Sequence, residues 1–250
     1  MKRPVEWMAL VALVGVGAVA AGPVVREEAR VKVDGVVERW RLEWRTPPEL
    51  DCFETEGVTC PCEGFAYAER GKLELVRTRP GKPAERLALT PLFGGDPARL
   101  RRWKPASGDE ALPADQRPAV LAKRKSQRAM VLGDYDHDGQ AREFVLQTAA
   151  HACGLREAVL IGVDPRDGRM RALGTAEHPE RPLVLEPGTW AKLLKAAELE
   201  SVETPCGDHG SEAEDVIRLR ADARGLHATR ELYRCTEQGG RGARESVEPL

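Results

Sequence analysis

Aromatic residues are scarce, at 5% of the 250-residue chain, and neither sign of charge dominates: 38 Lys and Arg stand against 40 Asp and Glu. The near balance excludes a strong field for steering nucleic acid or an acidic membrane surface. No nucleophile elbow, phosphate loop or paired-histidine zinc helix occurs, so no catalytic residue is assigned. No segment recurs at a fixed period, which excludes a propeller or a solenoid, since both need several units.

Gly (24) and Pro (18) are plentiful, a composition suited to turns and loops more than to long helices. The N-terminus carries Lys2 and Arg3, then an apolar stretch from Met8 to Val19, then the small-residue cleavage motifs Ala18-Val-Ala20 and Val19-Ala-Ala21. That pattern predicts a signal peptide over residues 1–21 and export to the periplasm or the exterior. The apolar run is short for a spanning helix, although an uncleaved anchor stays open. Residues 1–21 hold Lys2, Arg3 and Glu6, so losing them moves the formal charge from −2 to −3.

The six cysteines stand at 52, 60, 62, 153, 206 and 235. An even number in an exported chain reads as disulfides. A Cys60–Cys62 bridge would be strained, so each needs a more distant partner. Cys206 and Cys235 flank a predicted hairpin and form the preferred pair. The alternative is a thiolate metal site built from Cys60-Pro-Cys62 and His151-Ala-Cys153, although C-x-C is not the usual zinc spacing.

Between these landmarks the chain reads as hairpins. Residues 22–30 look like a loose leader. Residues 31–44 alternate around a turn at Asp34-Gly35, with Val36, Trp40, Leu42 and Trp44 on one face; the tryptophans fit a core better than a ligand platform. Residues 64–79 predict a second hairpin turning at Glu69–Lys72, and Arg86–Thr90 a short strand. Periodicity fades over a Pro- and charge-rich excursion at 94–128. There a helix starting around Pro118 ends in the solvated basic cluster Lys123-Arg124-Lys125. Glu157–Val163, apolar at nearly every position, predicts a central strand with Arg169–Leu173 as its partner. Thr189 predicts the N-cap of a helix over Trp190–Glu198. Asp215–Arg220 and Leu226–Tyr233 predict a last hairpin, and 236–250 a flexible tail. The expected fold is mainly β (α+β): antiparallel hairpins with one or two short helices, stapled by disulfides, in a single domain over 22–235.

One stretch carries chemistry: Asp134-Tyr-Asp136-His-Asp138-Gly139-Gln140-Ala-Arg-Glu143. Carboxylates occupy loop positions 1, 3, 5 and 10, and glycine occupies position 6. Short apolar runs, Ala129–Leu132 and Phe144–Leu146, predict a strand on each side. Ionised carboxylates drawn within ~5 Å repel by a few kcal/mol per pair at an effective dielectric of ~20. A hard divalent cation reverses that sign, and calcium accepts ~6–8 oxygens in tolerant geometry. Asp134, Asp136 and Asp138 are the expected ligands, with the backbone carbonyl of Gln140 and the carboxylate of Glu143. The bland alternative is a solvated acidic turn.

This stretch resembles the Asp-x-Asp-x-Asp-Gly calcium loops of EF-hands, dockerins and FG-GAP/VCBS repeats. It departs from the EF-hand at position 12, which is Val145, and from the FG-GAP type at position 9, which is Arg142. The chain as a whole resembles uncharacterised secreted bacterial proteins, which implies no mechanism. The resulting expectation is an exported calcium-binding protein of unknown activity. A protein or glycan partner is possible; nucleic acid and a membrane span after signal cleavage are not expected. The alternative is a secreted hydrolase using Asp208, His209 and Ser211 of the 206–212 loop with His151.

Overall fold

The computed structural model describes residues 22–52, 62–151, 154–222 and 224–250. The signal segment, Cys60 and Cys153 lie outside the described residues. The elements in chain order are β1 Val24–Val33, β2 Val36–Trp44, β3 Glu49–Asp51, α1 Cys62–Phe65, β4 Ala68–Gly71, β5 Leu73–Thr78, β6 Glu85–Ala88, β7 Ala98–Arg101 and α2 Arg117–Leu121. They continue as β8 Phe144–Ala150, β9 Arg156–Val163, β10 Met170–Ala172, β11 Val184–Leu185, α3 Pro187–Leu193, β12 Glu198–Thr204, β13 Ala213–Asp222, β14 Gly225–Cys235 and β15 Arg241–Pro249. The fold is mainly β, and every strand pair in the sheets is antiparallel.

The organising strand is β9. It pairs with β8, and its residues Val159 and Ile161 also pair with β11 and β10. Val159, Ile161 and Val163 face one hydrophobic cluster, shared with Trp40, Leu42 and Trp44 of β2 and Leu73 and Leu75 of β5. Ala158 and Leu160 face a second cluster, shared with Trp190 and Leu193 of α3 and Ile217 and Leu219 of β13. A strand buried on both faces has no polar side to show, which is why its sequence does not alternate. The central sheet is thus packed between the β1-β2-β5-β6 sheet on one face and α3 with the β12-β13-β14-β15 sheet on the other.

Several expectations need correction. Residues 22–30 are not a leader, because β1 begins at Val24 and Arg26 pairs with Glu69 and Glu28 with Arg39. Glu69–Lys72 is not a hairpin turn. Instead β4 pairs with β3 and β7 while β5 pairs with β2 and β6, so the chain crosses between sheets there. The crossing is fixed by Glu69, buried between Arg26 and Arg102. The excursion contains β7 and α2, pinned by the Tyr67–Trp103–Leu121 cluster. Arg124 turns in to Asp109, so the basic cluster is not wholly solvated. Thr189 lies inside α3, where its hydroxyl meets that of Ser201 at 3.0 Å; Pro187 at the first turn starts the helix earlier. Leu193 ends the helix, and Glu198 already belongs to β12. The expected flexible tail forms β15, held by Arg241 to Glu200 and by Arg244 to Glu231.

The preferred Cys206–Cys235 disulfide is present, and Cys62 bonds Cys52. Cys62 therefore has no thiolate to offer a metal. Among the described residues no helix is long and apolar enough to cross a membrane.

Candidate metal centre

The acidic loop sits where the chain enters the central sheet. Its ends are closed by a single antiparallel bridge, in which Gly133 N–H donates to Glu143 C=O (2.9 Å) and Glu143 N–H to Gly133 C=O (3.2 Å). The expected strand at Ala129–Leu132 does not form, although β8 does. The N–H groups of Ala129 and Met130 donate to the side chain of Glu27, at 2.6 and 3.2 Å, and not to a neighbouring strand.

Between the bridge residues the chain curls inward. Asp134 Oδ2 accepts from Gly139 N–H (3.0 Å), Asp136 Oδ1 from Asp138 N–H (3.2 Å) and Asp138 Oδ1 from Gln140 N–H (2.8 Å). These local turns are a habit of aspartate side chains. They need sharp backbone at two places: Gly139 at φ 89° and His137 at φ 56°. As a result, one carboxylate oxygen from each of Asp134, Asp136 and Asp138 lies within 4.8 Å of the others.

Glu143 lies beneath them. Its residue is fully buried, and its Oε2 accepts from Tyr135 N–H at 3.2 Å. It fits only because Gly162 of β9 has no side chain: a Cβ there would stand 2.8 Å from Glu143 Cγ. Arg142 is the internal counter-ion. It pairs closely with Asp138, at 3.4 Å with Asp34 and, through Nε, at 3.5 Å with Glu143 Oε1. One guanidinium does not balance the four carboxylates of Asp134, Asp136, Asp138 and Glu143. Burial, then repulsion from Asp136, pushes Glu143 up to about 9. Burial, then repulsion from Asp138, pushes Asp136 up to about 6. Two oxygens, Asp134 Oδ1 and Glu143 Oε1, are buried with no hydrogen-bond donor. Glu69 Oε2 and Asp215 Oδ1 also accept no hydrogen bond but lie 2.6 and 3.3 Å from an arginine nitrogen, closer than the 3.5 Å from Arg142 Nε to Glu143 Oε1.

The donor set suits a hard cation. It is all oxygen, and the nearest imidazole, His137, points elsewhere: its Nε2 donates to Leu193 C=O at 2.7 Å. His137 is therefore half-buried and engaged, not solvent-exposed as a side chain at that loop position was expected to be. Of the expected ligands, the three aspartates converge. The Gln140 carbonyl accepts from Arg142 N–H at 2.9 Å and keeps its second lone pair. Glu143 is adjacent but is not one of the converging trio.

The other candidate site does not assemble a nucleophile and base. His209 is 88% exposed at its side chain and pairs with Asp208 at 2.9 Å, whereas the Ser211 hydroxyl donates to Ala213 C=O at 2.6 Å. His151 pairs with Glu157. The remaining histidines also have partners: His178 lies 4.0 Å from Glu180, and His227 lies between Glu177 and Asp222.

Asp34, which meets both Gln140 and Arg142, was not legible as part of this site: it lies about a hundred residues away in sequence and its own signal is that of a hairpin turn. Comparison with protein-family models, with curated proteins and with solved structures finds no match.

Proposed function

We propose that Asp134, Asp136 and Asp138, with the Gln140 carbonyl and Glu143, hold a calcium ion, and that the chain is an exported calcium-binding protein. The observation that carries this reading is the convergence of three aspartates, one with a buried oxygen that accepts no hydrogen bond, beside the fully buried Glu143, whose Oε1 accepts none either. A cation supplies what those oxygens lack. Calcium suits the site better than magnesium, because it tolerates irregular oxygen shells and a backbone carbonyl, whereas magnesium keeps several waters in a strict octahedron. The ion's work is structural: it fixes the corner through which the chain enters the central sheet. Two disulfides and the N-terminal signal pattern support an oxidising, calcium-rich destination outside the cytoplasm. Extracellular calcium modules bind at ~10⁻⁴–10⁻³ M, which is the affinity expected here.

The test is a thermal melt of the oxidised protein with and without calcium, repeated on Asp136→Ala. Calcium should raise the melting temperature of the parent and leave the variant where it was. Equal melting curves for the parent in both conditions sink the reading.

A further inference from the structure

Four non-ligand side chains of the loop, those of Tyr135, His137, Gln140 and Arg142, are buried or half-buried. They reach in opposite directions, to the layers on either side of the central sheet. On one side, Gln140 grips the tip of the β1–β2 hairpin with two bonds: its Oε1 accepts from Asp34 N–H (2.8 Å) and its Nε2 donates to Asp34 Oδ1 (3.2 Å). Arg142 adds a contact to the same carboxylate while holding Asp138. On the other side, His137 Nε2 donates to Leu193 C=O, one of the last carbonyls of α3, which also accepts from Ala196 N–H at 3.2 Å. Tyr135 stands edge-on to Trp190 of the same helix, ring centres 6.4 Å apart. The arms alternate with the acids: 135 and 137 lie between 134, 136 and 138, and 140 and 142 follow them.

We infer that the loop is a two-sided calcium clamp, whose ion occupancy controls the order of the β1–β2 hairpin tip and the end of α3 together. The inference rests on the calcium reading. An ion that draws the three aspartates together fixes the backbone between them, and so fixes the roots of His137, Gln140 and Arg142. Without it, the crowded acids open the loop and both arms lose their anchor at once.

Hydrogen exchange of the oxidised full chain, with calcium chloride or with magnesium chloride as control, tests this. At ~100 times the dissociation constant, amides whose opening requires loss of the ion slow by up to ~100-fold. Calcium should slow exchange in three places: within 134–143, at the 34–35 turn, and at 194–196 after α3. Two variants separate the arms. His137→Asn keeps a residue that tolerates positive φ but is too short to reach Leu193. It should abolish the effect at 194–196 and spare the turn. Gln140→Ala keeps the backbone carbonyl and should do the reverse. Slowing confined to 134–143 overturns the clamp and leaves calcium binding intact. No slowing anywhere overturns the calcium reading itself.

Discussion

Two buried glutamates show how differently this chain treats the same charge. Glu38 of β2 is 4% exposed, and its carboxylate is met on both oxygens: Arg77 Nε and Nη2 donate at 2.6 and 2.7 Å, and the Trp40 indole N–H at 3.0 Å. Arg77 is itself anchored by Glu85 and by Gly168 C=O at 2.7 Å. Glu143 is 0% exposed; its Oε2 receives one backbone N–H, and its Oε1 accepts no hydrogen bond and has a guanidinium nitrogen only at 3.5 Å. The first site is complete within the protein. The second is short of positive charge. A protein can tolerate a buried carboxylate only if something neutralises it. What neutralises Glu38 is on the same chain; Arg142 alone does not balance the acidic loop, and on the calcium reading proposed above a cation does the rest.

The contrast is sharpest if the complete site is broken. Arg77→Met leaves Glu38 buried and unpaired, which should cost ~3–5 kcal/mol in urea unfolding. Glu143→Gln, by contrast, replaces a carboxyl that burial keeps protonated up to about 9, so near neutral pH it should leave stability without calcium unchanged or higher. Equal losses from both variants would remove the distinction. Next in size is the ion. Saturation at ~100 times the dissociation constant should add ~2.7 kcal/mol, or roughly 5–10 °C for a chain of this length, and Asp136→Ala should erase the gain.

The part of this picture that was legible from the sequence was its local part. Asp134, Asp136 and Asp138 announce themselves because alternate residues converge when the chain curls, and Gly139 marks the turn that lets it do so. β9 was legible as central because a strand buried on both faces is apolar throughout. The Cys206–Cys235 pair followed from a hairpin visible in the alternation of β13 and β14. What sequence reading missed was set at long range. β15 is a strand because Arg244 and Arg241 find Glu231 and Glu214 across the sheet, and a polar strand of that kind carries no hydrophobic period to read. The apolar run at Ala129–Leu132 looks like a strand, but Glu27, about a hundred residues earlier, takes its N–H groups. Arg77 on Glu38, and Gly162 beneath Glu143, depend in the same way on which strands become neighbours.

Proton linkage offers a third, smaller separation. In the calcium-free protein Asp136 and Glu143 sit above their ordinary values of 3.8 and 4.5, at about 6 and about 9. The unfolded chain ionises these groups first as pH rises, while the folded chain still holds the protons. Their contribution is therefore fully present below the unfolded values and is lost as pH climbs through about 6 and then toward about 9. Asp109 is the opposite case. Its hydrogen bonds with Arg124 hold it down to about 2, so its contribution is present above 3.8 and is lost as pH falls toward 2. Urea unfolding of the calcium-free protein between pH 5 and 8 should show declining stability, and Glu143→Gln should flatten the decline. With calcium the slope should reverse, since ligands must ionise to bind and binding releases protons. Calcium titrations in two buffers of different ionisation enthalpy measure that release.

The smallest effect belongs to a site where water neutralises the charge. Arg234 of β14 pairs with Glu245 of the edge strand β15 at 2.6 Å, with their side chains 76% and 34% exposed. The distance is as short as in the Glu38–Arg77 pair, so geometry alone predicts a similar loss when the cation is removed. Solvent predicts otherwise: an exposed pair is screened, and freeing two long side chains returns entropy, so such pairs contribute ~0–1 kcal/mol. Arg234→Ala should therefore shift the urea midpoint barely or not at all, and added salt should erase whatever shift exists. If that variant cost as much as Arg77→Met, pairing distance and not burial would govern these charges. The donorless oxygens of Asp134 and Glu143 would then no longer argue for an ion.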